Sequence, residues 1–567
     1  MFSSLSTTAE KHLQTEEGID GVALDWSPPQ HAEHGDICTS IALRIAKKVN
    51  KSPREIAESL ARELSAHADV EKAEVAGAGY VNLWLRPSAF ASEVHRVEAA
   101  ISPKPAKKGD APVIIEGADP NIAKPLGIHH ILATTIGQSL VNLYRHAGYQ
   151  VIAWNYVGDW GTQFGKLAVA YKKWGGGKPI KEHSLDELLA LYVKFHDELK
   201  KDESLEDEGR EAFRKLEQGD TALRSFWEDV VSVTKASLGD IFRRLQVSYD
   251  LELGESFYED KMAPVLEEGK KKGVFVEGKE GSLIVEFPQE MNMPPYLIVK
   301  GDGATLYSTR DLAQMRYRID TYHPQEILIP TDIAQKLHFQ QLIETCKRLG
   351  WELPAFENVL FGRMRFADKS MSTRKGNILK LEHVLDEAVA RAEEIIQERG
   401  EAIQTDDPKA LAEMMGAGAL VYGILSQNRK MDMVFDWEKM LSFEGNSAPY
   451  LQYTYARAKS VLRKAGVEGA DADVAAVETL TAHERRVFAH LLQFADVLEE
   501  TRREKLPHKL ATYLYELGQR FNSFYNSDDI LQAPEPQKGL RLRLTSLTAA
   551  VLKAGASLLT LRVPERM

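Results

Sequence analysis

The chain has 567 residues, 44% hydrophobic and 27% charged, with a formal net charge of −12. This length exceeds what a single hydrophobic core serves and predicts about three or four domains in an ordinary globular protein. Cys38 and Cys346, the two cysteines, argue against a disulfide framework or a structural zinc site and fit a reducing cytoplasm. The acidic balance argues against nonspecific DNA binding, and the absence of a secretory signal or a long apolar stretch argues against secretion and membrane insertion.

Residues 1–108 are predicted to form a small α+β domain. Apolar residues recur at three- and four-residue spacing over 35–49 and 52–66, as in helices that bury one face. Residues 79–87 alternate between apolar and polar, as a half-buried strand does. The stretch 102–112 is rich in proline, lysine and glycine, which is typical of a linker. The first domain is therefore expected to end there.

A strand, a helix and another strand follow in close succession. The apolar run VIIEG at 113–117 predicts a buried strand, residues 131–148 predict a helix that Gly148 ends, and residues 149–158 predict the next strand. Units of this kind build a parallel, doubly wound sheet whose ligands bind at the carboxyl ends of the strands. The stretch 120–130, which follows the first strand, is therefore a candidate binding site.

The rest of the chain shows a charged stretch, further strands and a helical C-terminal part. Residues 175–290 are highly charged, which indicates a helical insertion with a solvated face. Strand-like segments resume at residue 283, and the pattern is helical from about residue 380 to the end. Residues 441–567 carry 17 lysines and arginines against 15 aspartates and glutamates. This last region is therefore the least unfavourable place for a nucleic acid.

The start of the helix after the first strand has the composition of an anion site. Lys124, His129 and His130 lie where free backbone N–H groups and the positive end of the helix dipole would face a ligand. The alternative is that the two histidines are structural. The glycine-containing stretch 161–167 lacks the spacing of a P-loop, so a phosphate would have to bind without one.

Two further clusters carry residues suited to binding or chemistry. Tyr307 and Asp311 are four residues apart and would share one face of a helix, while Gln335 and His338 follow another short strand. The basic loop 367–379 suits a polyphosphate that must be clamped and then released.

Several long motifs, in one order along nearly the whole chain, resemble those of the arginyl-tRNA synthetases of class I. They are DPNIAKP at 119–125, GDWGTQFG at 158–165, TRDLA at 309–313, Gln335 with His338 and Phe339, SMSTRKGN at 370–377, and GNSAPYLQYTYARAKS at 445–460.

The resemblance implies an α/β multidomain protein that is a cytoplasmic monomer. Its reaction would join L-arginine to the α-phosphate of ATP, with Mg²⁺ accompanying the ATP, and pass the arginyl group to the terminal adenosine of tRNA-Arg. Such a reaction needs positioning and stabilisation of phosphate charge but no nucleophilic side chain and no protein-bound structural metal. The implied domains are an N-terminal tRNA-contacting domain at 1–108, a Rossmann-like catalytic domain at 109–380 with the charged insertion at about 175–290, a helical stem at 381–440 and an all-α anticodon-binding domain at 441–567.

The resemblance also implies roles for individual residues. The arginine pocket would contain Glu116, Asp119, Asn121, His130, Tyr307, Asp311 and Gln335. ATP would be bound by Gly127, His129, His130, Gly158, Asp159, His338, Met371, Ser372 and Lys375, and the catalytic groups would be Lys124, His129, His130, Arg374 and Lys375. The tRNA would be contacted by Tyr450, Tyr453, Arg457 and Lys459.

The chain departs from the family pattern at its H-x-G-H motif. Here the motif is Gly127-Ile128-His129-His130, so only its last histidine is in place, and a histidine stands where the family has glycine. We expect His129 to supply the imidazole that Gly127 lacks. Two alternatives remain open: a catalytically impaired tRNA-binding paralogue, and a related enzyme with another substrate.

Overall fold

The computed structural model describes residues 3–367, 379–469 and 477–567, apart from residues 20, 23, 25, 28, 30–33 and 108. The helices are α1 Ser3–Glu17, α2 Ile41–Val49, α3 Pro53–Ser65, α4 Pro87–Ile101, α5 His130–His146, α6 Thr162–Trp174, α7 Leu185–Leu199, α8 Ser204–Glu217, α9 Thr221–Arg244, α10 Glu259–Lys271, α11 Tyr307–Tyr322, α12 Lys336–Arg348, α13 Leu381–Arg399, α14 Pro408–Leu425, α15 Trp437–Met440, α16 Ala448–Ala465, α17 Ala482–Leu491, α18 Phe494–Glu504, α19 Pro507–Ser527 and α20 Gln537–Leu558.

The strands are β1 Ile37–Thr39, β2 Val70–Ala76, β3 Tyr80–Leu85, β4 Val113–Gly117, β5 Val151–Val157, β6 Leu251–Gly254, β7 Val276–Glu277, β8 Leu283–Val285, β9 Tyr296–Val299, β10 Glu326–Asp332, β11 Ala355–Phe361, β12 Met364–Phe366 and β13 Met433–Phe435.

The N-terminal part is the predicted α+β unit, an antiparallel sheet in the order β1-β3-β2 with helices packed on it. Helix α3 begins as its sequence predicts, because Ser52 and Glu55 form a reciprocal capping box. One expectation is corrected: residues 37–39 are a strand and not the start of a helix, since they pair with β3 and the helix begins only at Ile41.

The predicted parallel sheet forms the centre of the molecule, in the order β11-β10-β4-β5-β6. Strand β4 is buried along its whole length, and α5 packs closely on it. Gly137 makes that approach possible, since a Cβ there would lie 2.9 Å from the carbonyl oxygen of Glu116. Helix α5 and the C-terminal helices cover one face of the sheet, while α10, α11 and α12 cover the other.

The structure divides the charged stretch 175–290 into separate parts. Helices α7, α8 and α9 form their own core with α6. The chain then returns to the parallel sheet, where β6 pairs with β5, and only afterwards forms the small antiparallel sheet β7-β8-β9. The stretch is therefore not one continuous insertion, because four of its residues complete the edge of the central sheet.

The C-terminal helices pack against the N-terminal part of the chain as well as the central sheet. Arg485 of α17 reaches Asp36 (2.9 Å) and Glu71 (2.6 Å) of the N-terminal domain, and Phe90 of α4 packs against Phe488. Within the described residues, no helix has the length and apolar character that crossing a bilayer requires. Cys38 and Cys346 are both buried, and neither forms a disulfide.

Candidate active site

Those predicted arginine- and ATP-site residues that the structure describes lie at the carboxyl edge of the central sheet or in the segments that follow its strands. All five strands run parallel. From β4 the chain adds β5 and β6 on one side and later adds β10 and β11 on the other, so the strand order reverses between β4 and β10. Such a switch point leaves a crevice at the carboxyl ends of the two strands. The loop after β4, the first turn of α5, the first turn of α11 and the segment after β10 all lie there.

The backbone after β4 is strained, which is typical of functional loops. Ala118, Asp119 and Ala123 have φ values of 61°, 46° and 62°, in the left-handed region that side chains other than glycine seldom adopt. Asn121 forms an isolated bridge to Gly158, where a Cβ would lie 2.7 Å from the Asn121 side-chain oxygen. Gly158 therefore makes room for Asn121, which is exposed at the crevice.

Carboxylates are concentrated at the floor of the crevice. Glu116 is buried and pairs with Arg318, whose guanidinium lies 4.5 Å from the centre of the Trp154 ring. Asp119 is half-buried, and its buried Oδ1 has no hydrogen-bond partner among the described residues. Burial, and for Asp119 also the neighbouring Glu116, raises the pKa of both carboxyls above their usual range. A cationic group that entered here would relieve that cost.

A second carboxylate site lies beside the first turn of α11. His338 Nε2 donates to Asp311 Oδ2 at 2.7 Å, and the Tyr296 hydroxyl donates to His338 Nδ1 at 3.0 Å. The Tyr307 ring is 60% exposed and packs edge-on against His338, with centroids 5.0 Å apart. His338, predicted to bind ATP, is thus engaged with Asp311. Gln335 is exposed in the turn that precedes α12.

Sequence reasoning missed a further carboxylate, Glu255, which follows β6. Its Oε1 lies 4.0 Å from an Arg310 nitrogen, and Arg310 also approaches Glu259 at 3.5 Å. Burial raises the pKa of Glu255 to about 7, although Arg310 opposes that rise. The position of Glu255 directly after a strand could have marked it as a site residue. Strand β6 has only four residues, however, and is too short to be recognised from the sequence.

Glu255→Gln is expected to stabilise the protein above neutral pH. Because the folded-state pKa lies above the ordinary value of 4.5, ionising Glu255 costs little below pH 4.5 and has its full cost above about pH 7. The free energy of unfolding of the variant should exceed that of the parent by about 3 kcal/mol at pH 8.5 and by about 1 kcal/mol at pH 5. Thermal unfolding at both pH values measures it, with the exposed Glu252→Gln as the control; an equal effect at both would contradict the assignment.

The two histidines lie together at the start of α5. His129 precedes the helix and is exposed, His130 is its first residue and is half-buried, and their ring centroids are 4.1 Å apart. His130 Nδ1 lies 3.0 Å from the Gly127 nitrogen and 3.1 Å from the Gly127 carbonyl oxygen, so Gly127 holds this side of the ring and Nε2 makes no hydrogen bond to the described residues. Burial, followed by the neighbouring His129, lowers the pKa of His130 to about 4, and burial also lowers the pKa of His129.

The segment around Gly127 is joined to the chain that follows the basic loop. Ile128 N–H donates to the Leu379 carbonyl, and Leu381 N–H donates to the Leu126 carbonyl, both at 2.8 Å. The helix start and the end of the basic loop therefore form one unit. The predicted ATP-site and catalytic residues Met371, Ser372, Arg374 and Lys375 lie outside the described residues.

Two other predicted residues make contacts that sequence reasoning did not anticipate. Asp159 is buried and accepts hydrogen bonds from the Ser256 N–H (2.8 Å) and hydroxyl (2.7 Å), which engage both carboxylate oxygens. Lys124 is exposed, and its ammonium lies 5.7 Å from the centre of the Tyr192 ring. Asp159 therefore ties the loop after β5 to the segment after β6.

A cleft of about 760 Å³ in the C-terminal domain contains part of the predicted RNA surface. Tyr453 and Arg457 line it together with Tyr525, and the Arg457 guanidinium lies 4.8 Å and 5.0 Å from the centres of those two rings. Tyr450 contacts Asn522 outside the lining, and Lys459 pairs with Glu565 at 3.4 Å. Sequence reasoning missed Tyr525, whose exposed ring gave no pattern of its own.

Comparison with known families decides what this architecture is. Residues 97–437 match the profile "tRNA synthetases class I (R), catalytic domain", residues 451–567 match the "DALR anticodon binding domain", and residues 5–85 match the "Arginyl tRNA synthetase N terminal domain". The chain belongs to the arginyl-tRNA synthetase family.

Individual members of the family match over nearly their whole length. The arginine–tRNA ligase of Fusobacterium nucleatum is 38% identical over 536 residues, which cover 94% of this chain and 93% of the relative. That of Alkaliphilus metalliredigens is 38% identical over 550 residues, which cover 95% of each.

Solved arginyl-tRNA synthetases have the same fold. The structure of the Thermus thermophilus enzyme matches with a TM-score of 0.79 at 25% identity, covering all of both chains. The Plasmodium falciparum structure matches with a TM-score of 0.81 at 22% identity, covering 100% of this chain and 98% of the other. The predicted family, fold class and enzyme class are confirmed, and none of these comparisons favours an impaired paralogue.

Proposed function

We propose that this chain activates L-arginine with ATP to arginyl-adenylate and transfers the arginyl group to the terminal adenosine of tRNA-Arg. The observation that carries the proposal is the carboxylate site at the switch point of the sheet, where Asp311 is held by His338 beside the exposed Tyr307 ring. A guanidinium needs a carboxylate that can meet its fork of donors, and an aromatic face beside it favours a planar cation.

Arginine would lie across the crevice, with its two cationic ends at different carboxylates. The guanidinium would bind Asp311, with Tyr307 and Gln335 beside it. The α-ammonium would bind near Asp119 and Asn121, because Asp119 has an oxygen without a partner among the described residues. Glu116, engaged with Arg318, would act mainly by fixing the floor of the pocket through that ion pair.

ATP would bind at the start of α5, because a helix N-terminus favours phosphate. His130 and His129 would donate to the phosphates as neutral imidazoles, with Lys124, Arg374 and Lys375 as cations. Gly127 and Gly158, with Met371 and Ser372, would border the nucleotide, and Asp159 would support its site through Ser256. Further ATP contacts of His338 would use the ring face left open by Asp311 and Tyr296.

Mg²⁺ would enter with the ATP phosphates, which are its usual ligands, and would balance their charge. Among the described residues, no group of three or more His, Cys, Asp or Glu side chains is placed to hold a metal ion. The residues of this chain would then serve to position the nucleotide and to keep the arginine carboxylate in line with the α-phosphate.

The tRNA would span the N-terminal and C-terminal domains. The boundaries we propose are 1–108 for the N-terminal domain, 109–380 for the catalytic domain, 381–440 for the stem and 441–567 for the anticodon-binding domain. The cleft beside α16 supports this, since Tyr453 and Arg457 offer stacking and phosphate contacts to unpaired bases. We place the protein in the cytoplasm as a monomer with no DNA partner.

The proposal is tested by aminoacylation with the purified protein, labelled arginine, ATP and tRNA-Arg. Arginyl-tRNA should form with arginine, and neither lysine nor the uncharged arginine analogue citrulline should replace it. Failure to charge tRNA in the presence of all three substrates would contradict the proposal.

Charge reversal at Arg457 tests the RNA surface. Arg457→Glu should weaken tRNA binding and lower the slope of log K against log salt by about one, since one phosphate contact is lost. Arginine-dependent pyrophosphate exchange at saturating tRNA should change little. Arg503→Glu, at an exposed position outside the cleft lining, is the control; an unchanged affinity and slope in Arg457→Glu would remove this face from the RNA surface.

A further inference from the structure

Tyr296 belongs to the small antiparallel sheet and is not one of the predicted site residues. It lies behind Asp311, the carboxylate proposed to bind the arginine guanidinium. It is the first residue of β9 and is only 3% exposed. Strand β9 is fixed to the start of α11 by Ser308 and Thr309, whose hydroxyls donate to the carbonyls of Leu297 and Ile298 at 2.5 Å and 2.6 Å. The sheet and the helix that carries Asp311 are thus one rigid unit.

Tyr296, His338 and Asp311 form a linear chain of hydrogen bonds. The Tyr296 hydroxyl lies 3.0 Å from His338 Nδ1, and His338 Nε2 lies 2.7 Å from Asp311 Oδ2. Because Oδ2 of the carboxylate can only accept, Nε2 must carry a proton. If the imidazole is neutral, Nδ1 is the acceptor and the buried hydroxyl is its donor.

The hydroxyl also opposes protonation of His338. An imidazolium would carry a second N–H at Nδ1, and the hydroxyl would have to turn its own hydrogen elsewhere. Among the described residues, no second acceptor for that hydrogen is found. A buried donor without a partner is costly, so the arrangement favours the neutral imidazole.

We propose that Tyr296 is a positioning residue for amino-acid recognition, which acts through His338 to keep Asp311 free to bind the arginine guanidinium. The inference rests on the proposed function. A neutral His338 orients the carboxylate by one hydrogen bond to Oδ2 and leaves Oδ1, which accepts no bond from the described residues, for the substrate. A charged His338 would instead form an ion pair with Asp311 and compete with the guanidinium.

Few groups other than Tyr296 and Asp311 contact the His338 ring. Asp311 and Tyr307 face it from α11, and Tyr296 faces it from β9; the adjacent Phe339 is apolar. The described groups that hydrogen-bond to the His338 ring are therefore the carboxylate on one side and the hydroxyl on the other. Removing the hydroxyl leaves only the group that favours protonation.

The test is the arginine KM of Tyr296→Phe in tRNA-supported ATP–pyrophosphate exchange at pH 8 and pH 6. Histidine changes its charge within this range, so the ratio of variant KM to parent KM should rise at least about fourfold from pH 8 to pH 6. Tyr144→Phe is the matched control, since it removes a buried hydroxyl bonded to Glu326 on the other face of the sheet.

A second variant separates positioning from a purely structural role. In Tyr296→Phe/His338→Gln, the glutamine amide can donate to Asp311 but cannot become charged, so the KM ratio should lose its pH dependence. A ratio that is equal at both pH values in Tyr296→Phe, or one that stays pH-dependent in the double variant, would overturn the inference. Absence of arginine-dependent exchange in the parent would overturn the proposed function and this inference with it.

Discussion

Asp311→Asn should raise the KM for arginine by about 30- to 1,000-fold and leave the KM for ATP almost unchanged. The substitution keeps the shape of the side chain but removes the negative charge that would meet the guanidinium, which costs about 2–4 kcal/mol of binding. Arginine-dependent pyrophosphate exchange over a range of arginine and ATP concentrations measures both constants.

The control for this variant is Asp320→Asn on the same helix. Asp320 is half exposed and pairs with Arg316, so the change removes a carboxylate from α11 at a distance from the site. Its arginine KM should equal that of the parent. An unchanged arginine KM in Asp311→Asn would refute the assignment of the guanidinium to this residue.

His130→Ala should lower the rate of adenylate formation at least about tenfold, with little change in arginine affinity. Gly127 holds the Nδ1 side of the imidazole through its nitrogen (3.0 Å) and its carbonyl oxygen (3.1 Å), which leaves Nε2 without a partner among the described residues at the helix start. A pKa of about 4 keeps it neutral throughout the working range, so its contribution should not titrate between pH 6 and pH 9. Single-turnover formation of the adenylate measures the step, with the exposed His383→Ala as the control.

His129→Ala should cause a loss of similar size if this histidine supplies the second imidazole of the motif. The 4.1 Å separation of the two rings favours that role, because both lie at the same helix start. His129→Gly restores the glycine that the family has at this position. Exchange activity equal to or above that of the parent in both variants would contradict the relocation and identify His129 as an obstruction.

Local patterns predicted the elements that carry the site. The buried run 113–117 and the helix after it were placed to within a few residues, because a β-branched strand and an amphipathic helix have clear periodicities. The four-residue spacing of Tyr307 and Asp311 places them on one face only if the segment is helical, and the segment, which looked sheet-like from its sequence, is helical from Tyr307 onward. Strand β6 was missed because four residues give too short a pattern, although its pairing with β5 closes the sheet edge.

The supporting residues could not be predicted, because they meet only through the tertiary fold. Tyr296 precedes His338 by 42 residues, and Arg318 follows Glu116 by 202. Neither distance corresponds to a helical or strand period, so no sequence pattern connects them. Glu255 likewise became recognisable only once Arg310 was found beside it. The motif residues could thus be predicted from the sequence, whereas the residues that orient and neutralise them could not.

A crystal structure of the protein with bound L-arginine tests the central claim most directly. The guanidinium should lie within about 3 Å of Asp311 Oδ1 and against the Tyr307 ring, with the α-ammonium near Asp119. His338 should keep its hydrogen bonds to Asp311 and Tyr296. Arginine bound with its guanidinium on Glu255 or Glu116, or with its two ends reversed, would contradict the account.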